Sequence, residues 1–279
     1  MSLLSRVADS AYWMSRYLER AEQAARLGEI AGVDEGNCET IAACVTAARE
    51  NARQVREHVS SEMWEQINRL YLRVRRQRDE RDGLGLGAFF RAVTEASALF
   101  QGVTDSTMSN GEGWHFIQIG RFIERAATTS TMLDVHFADH PDAGDEPFGI
   151  GAYVEWVALL RSCAAFETYC RHYTADIRPD RVAEFLLLNA DCPRSVRFAI
   201  DRVEVSLRAI ALEVGKSAPG RLDRLAGRLR ASLDYSQIDE ILADSLRSYV
   251  LGIRRQCEQV HTALYESYIS YPIEAAITS

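Results

Sequence analysis

The sequence predicts an all-α protein, a multi-helix bundle with two pseudo-symmetric halves. A six-residue charged motif occurs twice in the same helical register, as RYLERA at 16–21 and RFIERA at 121–126, an offset of 105 positions. Apolar residues recur at helical spacing through most of the chain, and no stretch combines strand alternation with hairpin turns. We therefore predict one domain over 1–279, with halves at roughly 1–110 and 111–279 and no clean linker between them.

Each copy of the motif lies on a helix whose apolar residues step by three and four positions, as the inward face of an α-helix does. The first apolar seam contains Leu4, Val7, Ala11, Met14, Leu18, Ala21 and Ala25, and the second contains Phe116, Ile119, Ile123, Ala126, Ser130, Leu133 and Phe137. The Arg, Glu and Arg of each motif fall on the opposite face, since helical side chains advance by about 100° per residue. We expect these charges to face solvent, a second buried interface or a binding site.

The rest of the first half also predicts helices. Apolar residues from Met63 to Val74 form a stripe that starts just after Ser61, and charge and glycine make 79–87 a loop. Ser109 and Glu112 have the spacing of a capping box, which would open the second motif helix.

The second half continues the helical pattern after one clear interruption. That interruption is 139–151, which contains two Pro and three Gly. Pro179 and Pro193 have the sequence position of prolines in the first turn of a helix. The last helix is indicated by Val250, Ile253, Cys257, Val260 and Leu264.

Composition limits the classes of function. A chain of 279 residues with 47% hydrophobic residues can bury one large core or two modest ones. The net charge of −8 argues against nucleic-acid binding, which usually requires a basic surface. No apolar run could span a bilayer and residues 1–6 lack a signal-peptide layout, so we expect no membrane association. Six Cys without a CxxC pair favour a reduced cytoplasm over disulfides or zinc.

The charges of the repeated motif are the main functional candidates. Within one copy, Arg16 and Glu19 are spaced to pair on the helix surface, and Arg20 adds a second positive charge. If the two copies face each other, four Arg meet two Glu, and the surplus charge suits a carboxylate or phosphate ligand. The candidate anion-binding or substrate-binding residues are Arg16, Glu19, Arg20, Arg121, Glu124, Arg125 and His115. The alternative is an interhelical ion-pair network that fixes helix register without being a site.

Two further groups carry polar chemistry near the second motif. His115 could act as an acid or base, although its aromatic neighbours in the sequence suit a packing role. The run Asp105-Ser106-Thr107 offers hydroxyl nucleophiles without a paired histidine and is equally typical of a helix-capping turn.

Metal-binding spacing is incomplete throughout the sequence. His136 and His140 are separated as zinc ligands on a helix are, but they lie where a helix runs into a loop. Glu112 and His115 form one ExxH motif, whereas a di-iron bundle needs this motif on two helices. Nucleotide-binding glycine loops are also absent from the sequence. We therefore expect no metal and no cofactor.

These residues resemble the alpha-E domain, a bacterial family named for its all-helical fold and its Glu-Arg motif. The matching stretches are SRVADSAYWMSRYLERAE at 5–22, ARENAR at 48–53, SEMWEQIN at 61–68, GWHF at 113–116 leading into 121–126, AEFLLL at 183–188 and PRS at 193–195. Together they cover nearly the whole chain. The sequence is shorter than the family between the first helix and the second of these stretches, where Gly32 to Cys44 forms a short bridge.

The resemblance implies companions rather than a reaction. Members of the family occur beside, or fused to, circularly permuted ATP-grasp proteins and transglutaminase-like proteins, which suggests ATP-dependent formation of peptide or amide bonds. The chain would then be a helical partner or substrate-binding module of that system. Two alternatives stay open: an enzyme that uses Glu19 or Glu124 as acid and base with Arg clamps, and a purely structural scaffold.

Overall fold

The computed structural model describes residues 5–31, 35–79, 85–139, 150–174, 176–216 and 218–270. Within these ranges the chain forms twelve α-helices, a π-helical turn and no strand, which confirms the predicted all-α multi-helix fold. The elements are α1 (Ser5–Ala31), α2 (Glu35–Gln54), α3 (Ser61–Asp79), α4 (Leu86–Thr107), α5 (Glu112–Asp139), α6 (Ile150–Ser162), α7 (Phe166–Tyr173), α8 (Pro179–Leu188), α9 (Val196–Glu213), α10 (Arg221–Tyr235), α11 (Ile238–Asp244), α12 (Leu246–Leu264) and the π turn Tyr265–Ile269.

The two motif helices, α1 and α5, pack against each other in the middle of the fold. Helix α1 also packs against α2 and α4, whereas α5 also packs against α9 and α12. Both predicted apolar seams are buried along almost their full length, with Met14, Ala21, Ile119 and Ala126 completely inaccessible to solvent. Of the predicted seam residues, only Leu4 lies outside the described residues.

A glycine sets how closely α1 and α5 approach each other. A Cβ atom added to Gly120 would lie 2.2 Å from the carbonyl oxygen of Tyr12 and 2.3 Å from the hydroxyl oxygen of Ser15. Any larger residue would push the two helices apart. Gly120 occupies the repeat position that Ser15 occupies in the first copy, so the contact falls immediately beside both charged motifs.

The predicted helix boundaries agree with the structure in part. Helix α3 ends at Asp79 and α4 begins at Leu86, whereas α5 ends at Asp139 and α6 begins at Ile150. Most of the predicted loop 79–87 and of the predicted interruption 139–151 lies outside the described residues. Pro179 is in the first turn of α8 as predicted. The prediction for Pro193 was wrong: it precedes Ser195, the residue that caps α9 by accepting a hydrogen bond from the backbone N–H of Phe198.

Two sequence predictions extend beyond these findings. The pseudo-symmetric relation between 1–110 and 111–279, and their organisation as one domain, stay predictions.

Among the described helices, none combines the length and the apolar composition needed to cross a membrane.

We predict that Gly120→Ala lowers the free energy of unfolding by about 1–3 kcal/mol, because the added methyl group overpacks the contact between α1 and α5. The control is Gly102→Ala in α4, where an added Cβ meets no atom within 4 Å. That variant should gain about 0.5–1 kcal/mol from helix propensity. Urea denaturation of both variants measures the difference. Equal stabilisation by the two substitutions would show that the α1–α5 contact is not tight.

Candidate functional site

The two motifs pair across the α1–α5 interface and form separate ion-pair networks. The first network is centred on Glu124 of α5, whose side chain is only 7% exposed. Arg16 donates from Nε to Glu124 Oε2 at 2.8 Å, and Arg20 donates from Nε to Glu124 Oε1 at 2.7 Å. Both carboxylate oxygens of Glu124 are therefore bound by arginines of the first motif.

The second network is centred on Glu19 of α1. Arg125 holds both oxygens of Glu19 in a fork, with distances of 2.6 Å from Nε and 2.8 Å from Nη2. The two side chains are 3% and 2% exposed, so this pair is buried. A second arginine, Arg194, donates to Glu19 Oε1 at 3.1 Å and also to Glu22.

Glu22 extends the second network along α1. Its carboxylate accepts from Arg194, from Arg26 one helical turn away, and from the amide of Gln101 on α4. Burial alone would raise the pKa of Glu22, but the charges of Arg194 and Arg26 lower it to about 2. Glu22 is therefore ionised at neutral pH and balances the extra arginine.

Arg194 comes from the turn between α8 and α9, and sequence reasoning gave it no role. The backbone N–H groups of Asp191 and Cys192 bond to the side-chain oxygen of Asn189, which closes the turn. Arg125 donates from Nη1 to the carbonyl oxygen of Pro193 at 3.0 Å, which fastens the turn to α5. The one signal in the sequence was the PRS stretch of the family resemblance, to which no chemistry was attached.

The pairing follows the sequence repeat for one arginine of each motif and departs from it for the other. Arg20 with Glu124 corresponds to Arg125 with Glu19, under the offset of 105 residues. The counterpart of the pair between Arg16 and Glu124 would join Arg121 to Glu19, but Arg194 takes that place. Five of the six motif charges therefore join two separate networks, and Arg121 joins neither.

Arg121 is a partly buried cation that makes no ion pair with the described residues. Its Nε atom is inaccessible to solvent and has no hydrogen-bond partner, and its guanidinium lies 5.0 Å from the ring centre of Phe122. Burial, followed by repulsion from Arg125, lowers the pKa of Arg121 to about 10. The side chain is still protonated at neutral pH, so it carries a positive charge without a counter-charge in contact.

Arg121 lines a cleft of about 330 Å³ between α5 and α9. The walls are mostly apolar, and the lining residues are Asp105, Trp114, Gln118, Arg121, Phe122, Arg125, Pro193, Phe198, Arg202, Val205 and Ser206. Arg202, on α9, lies 4.9 Å from the ring centre of Phe198 and has no ion-pair partner among the described residues. The cleft therefore offers two arginines, Arg121 and Arg202, to an anion.

His115 is buried and does not belong to this cleft. Its side chain is 8% exposed, packs edge-on against Trp114 and leaves Nδ1 without a hydrogen-bond partner. Burial lowers the pKa of His115, which favours the neutral imidazole. This surrounding is that of a packing residue, and the structure does not bring His115 to the motif charges.

Metal-ligand geometry is not found in the part of the chain that the structure describes, where no group of three or more His, Cys, Asp or Glu side chains could hold an ion. His136 lies on α5, but His140, its predicted partner, lies outside the described residues. The six cysteines all lie within the described residues, and none of them forms a disulfide bond.

A third polar network, which the sequence did not predict, connects the first motif to α12. Arg16 donates from Nη1 to the hydroxyl of Tyr12 at 3.2 Å, and that hydroxyl is 2.8 Å from Nδ1 of His261. Burial, and next the charge of Arg16, lower the pKa of His261. The geometry therefore suits a neutral imidazole that accepts a hydrogen bond from the Tyr12 hydroxyl. Nearby, the indole of Trp13 donates to the hydroxyl of Tyr265.

Comparison with known protein families finds one that is described by a Glu-Arg motif. A family model called Alpha-E, described as a predicted alpha-helical domain with a conserved ER motif, matches residues 3–31 and 28–269. The chain belongs to the Alpha-E family. The two matched segments overlap at 28–31. In this chain the dipeptides Glu19-Arg20 and Glu124-Arg125 form ion pairs with each other across the contact between α1 and α5.

Relatives of this Alpha-E chain are found among mycobacterial proteins. It is 26% identical over 233 residues to an uncharacterized protein of Mycobacterium bovis and to uncharacterized proteins of two Mycobacterium tuberculosis strains. The alignment covers 79% of this chain and 25% of each relative, so the chain spans about a quarter of their length. No solved structure matches it.

We predict opposite effects from removing two neighbouring arginines of this Alpha-E chain. Arg125→Met leaves Glu19 buried with half of its partners, and should lower the free energy of unfolding by about 3–5 kcal/mol. Arg121→Met removes an uncompensated cation, and should lower the free energy of unfolding by no more than about 0.5 kcal/mol or raise it. Chemical denaturation at neutral pH compares them. Similar losses in both variants would mean that Arg121 is held by the fold as Arg125 is.

We also predict a pH dependence that arises at His261. The unfolded histidine takes up a proton near pH 6.5, whereas burial holds the folded pKa lower, so stability is present above that pH and is lost as the pH falls. The loss attributable to one such group cannot exceed about 1.4 kcal/mol per pH unit.

The test compares His261→Asn with the wild type between about pH 7.5 and 5.5. The asparagine amide can still accept from Tyr12 but does not titrate, so the slope of stability against pH should decrease. His58→Asn, at an exposed position outside the network, is the control and should keep the wild-type slope. An unchanged slope in His261→Asn would remove this histidine as the source.

Proposed function

We propose that this Alpha-E chain is a non-catalytic, substrate-binding partner that holds the carboxylate of its ligand on Arg121. One observation carries the proposal: Arg121 is a largely buried guanidinium that lines an open cleft, while every other charged residue of the repeated motif forms an ion pair. An arginine fork matches a carboxylate in shape and charge, and a ligand there would supply the missing counter-charge.

The energetics support a ligand role for Arg121 rather than a structural one. Burying a cation without a partner costs stability, because the protein replaces only part of its hydration. The fold provides carboxylates for its structural arginines, since Glu19, Glu22 and Glu124 are each bound by at least two of them. Arg121 has no carboxylate partner among the described residues, although its position in the sequence repeat predicts one. Destabilised groups of this kind are typical of functional sites.

The lining of the cleft favours an organic carboxylate over a phosphate. Aromatic side chains of Trp114, Phe122 and Phe198 form the walls and suit an apolar group attached to the anion. The carboxylate of Asp105 lies at the same cleft, and it would repel a doubly charged phosphate more than a singly charged carboxylate.

Family resemblance suggests the system in which such a ligand is used. Amide-bond formation by an ATP-grasp protein consumes a carboxylate, and a transglutaminase-like protein acts on amide bonds. A helical module that binds a carboxylate would present or retain the substrate or product of these companions. We place this system in the cytoplasm, as the free cysteines favour. The relatives are about four times as long as their matching region, which leaves room in them for further activities.

An enzymatic role for the two motif glutamates has less support. Both oxygens of Glu19 and both of Glu124 are bound by arginines, and both side chains are buried. A general acid or base must exchange a proton with substrate, which would require one of these ion pairs to open. The ion-pair networks are better explained as the structural element that holds α1 against α5.

We predict that leucine binds the wild type and that leucinamide, which lacks the carboxylate, does not. Arg121→Met should weaken leucine binding by about 10- to 100-fold, the range expected when a charge-assisted hydrogen bond is lost. Isothermal titration calorimetry measures the binding, and the melting temperature of the variant should stay close to that of the wild type.

The matched control is Arg171→Met, which removes an exposed arginine on α7 away from the cleft and should bind as the wild type does. Equal binding of leucine and leucinamide, or unchanged binding in Arg121→Met, would contradict the proposal. Loss of binding together with a large fall in melting temperature would instead indicate a structural arginine.

A further inference from the structure

We infer that the cleft at Arg121 binds a small zwitterion, an amino acid or dipeptide with both a free ammonium and a free carboxylate. This inference rests on the proposed function and names the ligand class. It starts from one juxtaposition: Asp105 and Arg121 line the same cleft with opposite charges, yet they form no ion pair with each other or with any other described residue.

Asp105 is exposed at the cleft and keeps one carboxylate oxygen available to a ligand. Its Oδ1 atom accepts hydrogen bonds from Nε1 of Trp114 and Nε2 of Gln118, both at 3.2 Å. Oδ2 accepts none from the described residues. A neutral asparagine could accept the same two hydrogen bonds, so these bonds do not require the negative charge. An ammonium group placed beside Oδ2 would use it.

The spacing of the two charges fits a short ligand. Gln118, which anchors Asp105, precedes Arg121 by three residues, about 4.5 Å along the helix axis. All three residues line the cleft, so Asp105 and Arg121 contribute opposite charges to it without forming an ion pair. A molecule whose own positive and negative groups are a few bonds apart can reach both.

The remaining lining suits the rest of such a ligand. Arg202 stands on the opposite helix, α9, and adds a second donor for the carboxylate. Phe198 and Val205, also on α9, offer an apolar wall against which an aliphatic or aromatic side chain can pack. The cleft therefore has the three contacts that recognise an amino acid: an anion for its ammonium, cations for its carboxylate and an apolar surface for its side chain.

The test uses four probes that differ in one group each, measured by calorimetry on the full chain. They are leucine, 4-methylpentanoate without the ammonium, leucinamide without the carboxylate, and leucyl-leucine with the two charges further apart. In the wild type, leucine or leucyl-leucine should bind about 10- to 100-fold more tightly than 4-methylpentanoate. Whichever of the two binds more tightly distinguishes a free amino acid from a peptide.

The variant that isolates the ammonium contact is Asp105→Asn, which keeps the acceptor for Trp114 and Gln118 and removes the charge. Its binding of 4-methylpentanoate should equal or exceed that of the wild type, while the preference for leucine over 4-methylpentanoate disappears. The control is Asp239→Asn, which removes an exposed charge on α11 and should keep the preference. Near-ultraviolet circular dichroism confirms that Trp114 keeps its environment.

The outcomes separate the two proposals. Equal binding of leucine, leucyl-leucine and 4-methylpentanoate that depends on Arg121 would overturn the zwitterion and leave the carboxylate site intact. A preference for leucine that survives in Asp105→Asn would also overturn it. If none of the carboxylates binds at concentrations up to about 10 mM, both proposals are wrong.

Discussion

The close contact between α1 and α5 is the constraint on which the other features depend. Gly120 lets the two backbones meet at Tyr12 and Ser15, and only at that separation do the glutamates of one helix reach the arginines of the other. The pair between Arg125 and Glu19 is buried, so it adds little net stability but tolerates no change of register. Packing therefore sets the distance between the helices, and charge sets their alignment.

Sequence reasoning predicted the features that follow from helical periodicity. The fold class and the buried seams follow from side chains that recur on one helix face. The pair expected within one motif, Arg16 with Glu19, is not formed, because each of these residues pairs with a charge of the other motif. The missing parts come from contacts between elements far apart in sequence. Arg194 lies in a turn whose shape depends on Asn189, and the role of His261 depends on the docking of α12. Such contacts have no local signature, and so the cleft was not predicted either.

The repeated motif is used unequally. If both copies paired alike, Arg121 and Arg125 would share Glu19 as Arg16 and Arg20 share Glu124. The turn before α9 breaks the equivalence by inserting Arg194 beside Glu19. Arg121 instead lines the cleft between α5 and α9, together with Asp105 and the aromatic side chains. One additional side chain thus takes the place at Glu19 that the repeat assigns to Arg121.

The hydrogen bond between Tyr12 and His261 has a consequence for the order of folding. The two residues are 249 positions apart, so their contact closes nearly the whole described chain into a loop. The entropic cost of closing this loop is lowest once the intervening helices have already packed together. Helix α12 is therefore expected to dock after α1 and α5 have paired. Interactions that form after the folding transition state mainly slow unfolding. The docking of α12 therefore affects the unfolding rate of the bundle more than its folding rate.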